Sequence, residues 1–397
     1  RLGHPTRDDD GAHELRYRRN ESGYQVEMGV FDDKQRPALN AGGAHRVTWD
    51  RGPMGLPTSE RYFGTGGQPV EAATGNHSEA SSFDVWGNRI QVRLLDQSGN
   101  LVPYDKRHHA SWRTKLDSRG NHVELAYYGV DGEPANHPDG YAVRQHRFDA
   151  KGRVVQINLL GPDGKPVSLA PVRKLSYDQH GRQTELAYLG ADGKPPVGFE
   201  AFRRTAYDER DNEVRIWFLD AERNPIVGKG KYAEYRVQYY EDDQQVEKAY
   251  FGANGEPSVA VDKYARAVFT YDPAGRRSKT EFFDATGAVL PTFGCRHILV
   301  MYTGSMRAEA SLVRTKDEAR ARAEEARQRI VAGTSFEDAV RVYSDEPRAA
   351  ARGGDLGVFP PGRMVAAFES GLVATPVGQL STVVETPFGF HIIERLQ

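Results

Sequence analysis

A turn motif of the form Gly-x-Pro, or a variant of it, recurs along the first three quarters of the chain. Most copies follow an aromatic residue and an acid, such as Tyr177-Asp178. The period is about 32 residues, with intervals of 29 to 33, and the copies begin at Gly67, Gly99, Gly132, Gly164, Gly193, Arg223, Gly255 and Gly287, with an eroded copy at Gln35. Such a period predicts a repeat architecture, in which each unit buries its apolar face only by stacking on its neighbours.

Each repeat has the pattern of two short strands joined by tight turns. In residues 153–159 apolar and polar side chains alternate, which is typical of a half-buried strand. The Asp-x-x-Gly segments, such as residues 149–152, favour type I turns whose last residue takes a positive φ. The sequence therefore predicts an all-β array of antiparallel hairpins over residues 1–289, with eight to nine units. A meander or solenoid is the simplest arrangement, and a closed propeller is the alternative.

The composition argues against several classes of function. Among 397 residues, Lys and Arg number 53 and Asp and Glu number 55, so the net charge of −2 provides no global basic field for nucleic acid. No apolar run is long enough for a membrane span. The single cysteine, Cys295, rules out an intrachain disulfide and a cysteine-based metal cage.

The chain begins at Arg1 and not at methionine. We therefore expect that a signal peptide, a lipid anchor or a longer upstream region once preceded it. Together with a β array that contains no cysteine, this beginning predicts a protein of the bacterial cell envelope, in the periplasm or at the surface, or a secreted protein.

The sequence pattern changes from strands to helices at about residue 290. Thr315 and Glu318 form a capping box at the start of a helical run, and Gly333 is typical of its end. Strand-like segments flank the helical region on both sides. This pattern predicts a compact α+β domain over residues 294–397, joined to the array through residues 290–293.

Five short blocks follow one another through this domain. They are His-Ile-Leu-Val at 297–300, a helix after 314–315, Tyr-Ser-Asp at 343–345, Gly-Gly-Asp-Leu-Gly at 353–357 and Phe-Gly-Phe-His-Ile-Ile at 388–393. In this order and spacing they closely resemble the parvulin family of peptidyl-prolyl cis-trans isomerases, over residues 291–397. The resemblance implies an isomerase of X–Pro bonds in protein clients. Rotation about such a bond has a barrier of about 20 kcal/mol and needs no covalent step, so neither a cofactor nor a metal is expected.

The resemblance also implies which residues form the catalytic site. His297 and His391 occupy the paired histidine positions of the family, on neighbouring central strands. Glu346 stands at a third polar position that usually carries Cys or Asp, and its side chain is one methylene longer than that of Asp. We interpret these three residues as the catalytic set. The alternative is a buried histidine pair with a structural role only.

An apolar pocket for the proline ring follows from the same resemblance. Leu356, Met364 and Phe368 would line it, and Phe388 would close its side. Such a pocket must favour the twisted amide over both planar forms, and about 4 kcal/mol of that preference corresponds to a thousandfold rate gain. The alternative is that all four side chains are ordinary core residues.

Phospho-specific members of the family carry a basic cluster after the first strand. The matching positions here are Met301, Met306 and Arg307, so two of the three cations are missing. We therefore expect no strong preference for phosphoserine or phosphothreonine before proline. Arg307 and Arg314 are interpreted as solvated surface charges.

Three hypotheses for function stay open at this point. The first is an isomerase whose repeat arm binds an unidentified partner or holds the catalytic domain near a surface. The second is a non-catalytic protein that binds proline-containing segments, in which Glu346 marks lost activity. The third is a surface structural or toxin-like protein in which the C-terminal domain caps the array.

Two further signals carry little weight. The repeats loosely resemble the tyrosine–aspartate repeat proteins of bacterial cell surfaces, whose usual period is shorter, and this likeness adds little about function. His108 and His109 have no cysteine or third histidine at ligand spacing. We interpret them as part of a surface hairpin and not as a metal site.

Overall fold

The structure is a computed structural model, and it describes residues 14–40, 42–72, 74–104, 108–308 and 312–397. The chain divides into two compact units, residues 1–197 and residues 198–397. The first thirteen residues of the predicted array, and with them Arg1, lie outside the described residues. The predicted junction at residues 290–293 falls inside the second unit and stays a prediction.

Within the described residues of the repeats there are eighteen short strands, alternating between six and seven residues in length. Those of the first unit are β1 (Glu14–Arg19), β2 (Gln25–Phe31), β3 (Arg46–Arg51), β4 (Pro57–Phe63), β5 (Ser78–Phe83), β6 (Arg89–Leu95), β7 (Ser111–Leu116), β8 (His122–Tyr128), β9 (Val143–Phe148), β10 (Val154–Leu160), β11 (Val172–Tyr177) and β12 (Gln183–Leu189). Those of the second unit are β13 (Phe202–Tyr207), β14 (Glu213–Leu219), β15 (Glu234–Tyr239), β16 (Gln245–Phe251), β17 (Arg266–Tyr271) and β18 (Arg277–Phe283).

Neighbouring strands of the array are also neighbours in sequence. From β1 to β12 in the first unit, each strand pairs antiparallel with the next. The same holds from β13 to β18 in the second unit. The predicted all-β array of antiparallel hairpins is therefore confirmed. The choice between an open array and a closed propeller stays a prediction.

The hairpin turns have the chemistry that their sequence predicts. The Asp149 side chain accepts hydrogen bonds from the N–H groups two and four residues further on, at 2.9 and 3.0 Å, and Gly152 has a φ of +79°. The first residue of the Gly-x-Pro turns also has a positive φ, which glycine adopts without strain. In two copies Gln35 and Arg223 hold this position, at φ values of +60° and +67°.

A cation–π contact across the hairpins was not apparent from the sequence. The guanidinium of Arg266 lies 3.8 Å from the ring centroid of Phe283, and the two residues are register partners. Arg46 and Phe63 form the same kind of register pair at 4.3 Å, whereas Arg16 lies 3.9 Å from Phe31 and Arg236 lies 4.1 Å from Phe251 across a diagonal of the hairpin. The side chains of these arginines thus cover aromatic rings, a role that a second layer of secondary structure has in a two-layered fold.

A smaller α+β domain follows the array within the second unit. Its strands are β19 (Phe293–Val300), β20 (Asp355–Phe359), β21 (Val384–Thr386) and β22 (Gly389–Arg395). Its helices are α1 (Lys316–Val331), α2 (Phe336–Tyr343) and α3 (Ala366–Ala374), with a short 3-10 helix at Ala350–Arg352. The sheet has the antiparallel order β20-β19-β22-β21. The predicted fold class of the C-terminal region is therefore confirmed.

The core of this domain lies between its sheet and the helices α1 and α2. Ile298 and Ile392, from the two central strands, pack with buried alanines on the inner face of α1. The helix begins as predicted, because the Thr315 hydroxyl accepts from the N–H of Glu318 and the Glu318 carboxylate accepts from the N–H of Thr315. In the part of the chain that the structure describes, no helix combines the length and the apolar character needed to cross a membrane.

Candidate active site

Two buried histidines face each other on the central strands of the C-terminal sheet. His297 lies on β19 and His391 on β22, where the register pairs His391 with Leu299, so the two histidines are diagonal neighbours on one face. Their rings stack with centroids 5.3 Å apart, and their Nδ1 atoms are 3.1 Å apart. Each residue is only 4% exposed. Strand pairing thus brings together two side chains that are 94 positions apart.

Glu346 lies in the loop after α2, on the far side of His297 from His391. Its Oε2 atom is 2.9 Å from Nε2 of His297, and the same carboxylate forms an ion pair with Arg352. The loop is tied to β19 because the N–H of Asp345 donates to the carbonyl of Leu299 at 2.7 Å. The longer side chain of Glu346 therefore still reaches the histidine pair.

The surroundings shift the pKa values of two groups in this network. Burial raises the pKa of Glu346, but its interactions with His297 and Arg352 outweigh burial and hold the pKa below its ordinary value. Burial, with the neighbouring His297, lowers the pKa of His391 to about 3. Near neutral pH the carboxylate is therefore ionised and His391 is neutral.

The ionised Glu346 fixes the position of one proton in this network. A carboxylate only accepts, so the N–H at Nε2 of His297 donates to Glu346. The Nδ1 atoms of the two histidines share the next hydrogen bond, and Nε2 of His391 shares one with the Thr386 hydroxyl, 2.8 Å away, whose oxygen accepts from the N–H of Phe388 at 3.1 Å. Every donor in this chain of hydrogen bonds meets an acceptor, which fixes both imidazole rings in place.

An apolar cluster lies against the histidine pair. Phe368, on α3, meets both imidazoles edge-on, with centroid distances of 5.7 Å to His297 and 5.2 Å to His391. Leu356, on β20, and Met364, just before α3, are partly buried against the same cluster. The site thus joins an oriented polar network to an apolar surface that suits a small, uncharged ring.

Two glycines allow the chain to pass close to β19 at this site. Gly354 has a φ of +76°, and a Cβ atom there would overlap the carbonyl of His297. Gly389 has a φ of +138°, and a Cβ atom there would overlap the carbonyl of Val300. Any larger residue would push the neighbouring strand away from β19, which explains the glycines in two of the five sequence blocks.

The sequence around this site matches known proteins. Residues 287–396 match the family described as the PPIC-type PPIase domain. These residues are therefore a PPIC-type PPIase domain. Chaperone SurA of Alkalilimnicola ehrlichii is 40% identical over 99 residues, which are 25% of this chain and 21% of SurA. The putative peptidyl-prolyl cis-trans isomerase dodo of Drosophila melanogaster is 44% identical over 106 residues, which are 25% of this chain and 63% of dodo.

A solved structure is also similar to part of this chain. The peptidylprolyl isomerase PrsA of Bacillus cereus has 30% sequence identity and a TM-score of 0.22, covering 27% of this chain and 35% of that one. The chain spans about a fifth of the length of SurA and less than two thirds of dodo. The family match over residues 287–396 and the two relatives confirm the predicted resemblance of the C-terminal domain to parvulin-type isomerases, while that of the repeats to tyrosine–aspartate repeat proteins stays a prediction.

The PPIase domain brings most of the proposed site residues together. His297, Glu346 and His391 share one hydrogen-bonded network, and Leu356, Met364 and Phe368 share one apolar cluster. Phe388 stands apart from that cluster. It is half-buried, and it joins the network through its backbone N–H. The catalytic and substrate-binding roles of these seven residues stay predictions.

Two members of the network were missed in the sequence. Thr386 ends a three-residue strand and positions His391, and Arg352 precedes the Gly-Gly block and pairs with Glu346. Neither residue stands at a spacing that indicates a role. Each lies within six positions of its partner, and the contact depends on the turn between them and not on a helix or strand spacing.

The loop after β19 corrects one expectation about surface charges. Arg314 was predicted to be a solvated charge, and this is wrong, because it pairs with Asp345 at 2.5 Å and donates to the carbonyl of Met301 at 2.9 Å. Met301 is itself buried. Arg307 is exposed, and its guanidinium lies 5.6 Å from the ring centroid of Phe388. Of these two arginines, Arg307 is the one that stays at the rim of the site.

The interpretation of His109 as part of a surface hairpin is also wrong. His109 is 7% exposed, stacks on Tyr104 with ring planes 10° apart, and meets Tyr127 at a centroid distance of 4.5 Å. Its role in the array is therefore packing between aromatic rings. Across the described ranges, no group of three or more His, Cys, Asp or Glu side chains is placed to hold a metal ion.

Proposed function

We propose that this chain is a peptidyl-prolyl cis-trans isomerase that acts on X–Pro bonds of polypeptide clients. The observation that carries the proposal is the hydrogen-bonded network of His297, His391 and Glu346, set against the ring of Phe368. The PPIase domain supports it, as do relatives named a chaperone and a putative isomerase. We assign His297, Glu346 and His391 to the catalytic set, with Thr386 and Arg352 as positioning residues.

The chemistry of the reaction explains why such a site needs no covalent step. As the X–Pro bond twists, the amide loses resonance, so its carbonyl becomes less polar and its nitrogen becomes pyramidal. Leu356, Met364 and Phe368 would hold the proline ring away from water, with Phe388 at the side. The neutral His391 offers no charge that would favour the polar planar amide. A preference of about 4 kcal/mol for the twisted form accounts for a thousandfold acceleration.

The proposal includes clients that carry no phosphate before proline. Recognition of a phosphate group relies on several charge-assisted hydrogen bonds, usually from arginine or lysine. At the loop after β19, Arg314 is already neutralised by Asp345, and Met301 is buried. Arg307 alone would face a phosphate there. This arrangement supports catalysis without a strong preference for phosphoserine or phosphothreonine.

The remaining parts of the chain complete the proposal. Residues 1–289 would form an arm that binds a partner or holds the domain of residues 294–397 in place, with residues 290–293 as the junction. The clients would be proline-containing polypeptides and not nucleic acids. We place the protein in the bacterial cell envelope or outside the cell, and the likeness to a chaperone supports a role in protein folding.

A second candidate is binding of proline-containing segments without turnover. One observation favours it, namely that Arg352 and His297 both engage the carboxylate of Glu346, which leaves less of its charge for a substrate. In that case the domain would accelerate no isomerisation although it is folded. The same assay separates the two candidates.

The test is a prolyl isomerisation assay on the full chain. The substrates are unphosphorylated peptides that differ in the residue before proline, each with a counterpart that carries phosphoserine at that position. We expect acceleration of the unphosphorylated series, with kcat/KM for the phosphorylated counterparts within about tenfold. A much larger preference for phosphoserine would contradict the client class but not the activity.

Two methionines provide a matched pair of variants. Met364→Ala removes a side chain from the apolar cluster, whereas Met54→Ala removes an exposed one from the array. We expect Met364→Ala to lower kcat/KM at least about tenfold and Met54→Ala to leave it unchanged, with both proteins folded by circular dichroism. A folded wild type that accelerates no substrate would refute the isomerase and leave the binding candidate.

A further inference from the structure

A backbone hydrogen bond that links successive repeats is missing at the last one. In seven hairpins of the array, an N–H near the end of the second strand donates to a carbonyl just ahead of the next strand, at 2.8 to 3.1 Å. The donors are Val30, Tyr62, Leu94, Tyr127, Leu159, Phe218 and Tyr250. The equivalent donor in the ninth hairpin is the N–H of Phe282, on β18. Among the described residues none accepts from it, although Phe282 is only 5% exposed.

The geometry of β18 is otherwise the same as in the earlier repeats. The carbonyl of Phe282 accepts from the N–H of Leu290 at 2.8 Å, just as that of Tyr250 accepts from Ser258 at 3.0 Å. Phe282 therefore presents its backbone groups away from β17. Because successive residues of a strand face opposite edges, Thr280 presents its N–H and carbonyl to the same open edge.

In the preceding repeat this edge is occupied by a strand. The residue of β16 that corresponds to Thr280 is Lys248, which pairs with Ala267 of β17. At β18 no array strand follows, since the chain continues into the PPIase domain. The last repeat thus keeps an edge that is shaped to receive one more strand.

This open edge lines a cleft within the second unit. The cleft has a volume of about 840 Å³, with residues 277–282 on one wall and Asp355, Val358 and Pro360 of the PPIase domain on the other. A strand takes up about 4.8 Å by 10 Å by 3.3 Å per residue, or about 160 Å³. The cleft therefore has room for about five residues of a single extended chain.

The charges and walls of the cleft indicate what could occupy it. Lys279 pairs with Glu281 at 2.8 Å, and Arg363 pairs with Asp262 at 3.4 Å. Arg277 and Asp355 add one charge of each sign, so the side chains of the walls carry no excess of either charge. A polyanion would gain little electrostatic attraction in this cleft, whereas the backbone of an extended polypeptide would form the hydrogen bonds that β18 lacks. In a second copy of this chain, the β18 edge would lie in the same kind of cleft. The PPIase walls of both copies would stand between the two edges and keep them from pairing.

We propose that an extended segment of a client polypeptide adds to the open edge of β18 as a further antiparallel strand, in the cleft between β18 and β20. That the segment belongs to a client rests on the proposed function, whereas the pairing rests on the edge alone. β20 also carries Leu356 of the apolar cluster. A client held in this way would have its neighbouring residues close to the site that acts on proline.

The repeats themselves supply a probe for this edge. A labelled peptide with the sequence of residues 264–272 contains β17, which pairs with β16 in the equivalent register. In that pairing Ala267 shares its edge with Ala265, whose carbonyl accepts from Tyr250, so the N–H of Ala267 faces the partner strand and that of Val268 faces away. The peptide N-methylated at Ala267 loses a pairing donor. The peptide N-methylated at Val268 is its matched control.

Binding of these peptides to the full chain is measured by fluorescence anisotropy. We expect the parent peptide and the Val268-methylated peptide to bind alike, and the Ala267-methylated peptide to bind at least about tenfold more weakly. Equal binding of both methylated peptides, or no binding of the parent, would overturn the proposal. Dimers that dissociate when Thr280 is changed to proline, seen by sedimentation without peptide, would identify a second copy as the occupant and also overturn it.

Variants at Thr280 test the protein side of the pairing. Thr280→Pro removes the outward N–H, which lies outside the ladder with β17, and Thr280→Val keeps the backbone intact as a control. We expect Thr280→Pro to lose peptide binding while both variants still isomerise a proline tetrapeptide that is too short to reach the edge. If Thr280→Pro misfolds, the methylated peptides decide the question. A wild-type protein that binds the parent peptide but isomerises no proline substrate would refute the proposed function and leave the strand pairing standing.

Discussion

The repeat array and the PPIase domain gain their order over different distances in sequence. In the array a hairpin pairs residues such as Arg266 and Phe283, whereas in the PPIase domain β19 pairs with β22, as His297 does with Ile393. All seven residues of β4 are only half-buried, but five of the seven residues of β22 are buried. The array is therefore stabilised by contacts between neighbouring repeats, which can unfold one after another. The PPIase domain is stabilised by one core, which unfolds as a unit.

The two regions also treat charge differently. In the array, aspartates cap their own turns and arginines cover aromatic rings, so each charge acts locally. In the PPIase domain the histidine pair is buried, and its hydrogen bonds join residues that lie 94 and 49 positions apart in sequence. Changes in the array should therefore have small, local effects, and changes in the domain should have large, shared ones.

The largest effect is expected from a matched pair of core isoleucines. Ile392, in the PPIase domain, and Ile216, in the array, are both 0% exposed. Truncation to alanine at either site should cost about 2–5 kcal/mol, because it removes buried methyl groups and leaves a cavity. We expect Ile392→Ala to lower the unfolding midpoint of the PPIase domain and abolish turnover, and Ile216→Ala to affect the array transition while turnover persists.

Differential scanning calorimetry with far-ultraviolet circular dichroism separates the two transitions. This experiment also tests the proposed division into residues 1–289 and 294–397. A single transition that shifts equally in both variants would show that array and domain unfold as one unit, and the contrast between them would fail.

The next effect is a pH dependence that belongs to the PPIase domain. The pKa of His391 is lowered to about 3 in the folded state, against about 6.5 when unfolded. Between these values the unfolded chain binds a proton that the folded chain does not, so stability is full above about pH 6.5 and falls as the pH decreases. From pH 7 to pH 5 the loss should be about 2 kcal/mol in wild type and absent in His391→Asn, measured by urea unfolding.

The array provides the contrast for this prediction. The N–H of Arg153 and its side chain hold the pKa of Asp149 below its ordinary value, so the stability from this turn is present above about pH 4 and is lost only below it. The contribution of this turn should therefore be flat between pH 7 and pH 5, and the slope of the array transition there should come from His146, whose pKa is lowered by burial. An equal slope in His391→Asn and wild type would assign the pH dependence to another group.

A smaller effect is expected at the carboxylate of the site. Glu346→Gln removes the charge that keeps the proton on Nε2 of His297 and should lower kcat/KM about tenfold, whereas Glu346→Asp, with the acid retained, should lose less. Arg352→Gln releases the same carboxylate and should move the pH profile of kcat/KM without removing activity. Unchanged kinetics in Glu346→Gln would remove Glu346 from the catalytic set.

The smallest effect is a stabilisation of the array at one turn. Gln35 has a φ of +60° at a position that is glycine in most other repeats, and a residue with a Cβ atom is strained there. Gln35→Gly should raise the stability of the first repeats by about 1 kcal/mol, with no change in turnover. The neighbouring Lys34→Gly serves as the control, since Lys34 has no positive φ to relieve. Thermal unfolding followed in the array transition would measure the difference.

Much of this architecture was predictable because its causes lie close together in the chain. The repeat period, the Asp-x-x-Gly turns and the capping box at Thr315 each depend on a few consecutive residues. His297 and His391 were predicted through their sequence blocks, and strand pairing places them side by side. The errors at Arg314 and His109 share one cause, because both residues are covered by partners that a local pattern does not show.

The repeated hairpins, the PPIase domain and the residue types of its site follow from the amino-acid sequence alone. The folded chain adds that Thr386 and Arg352 complete the histidine network, that Phe388 stands apart from the apolar cluster, and that β18 keeps an open edge. Turns and alternating strands follow from interactions over a few residues, whereas the meeting of two histidines and the freedom of a strand edge depend on which distant segments the folded chain brings into contact.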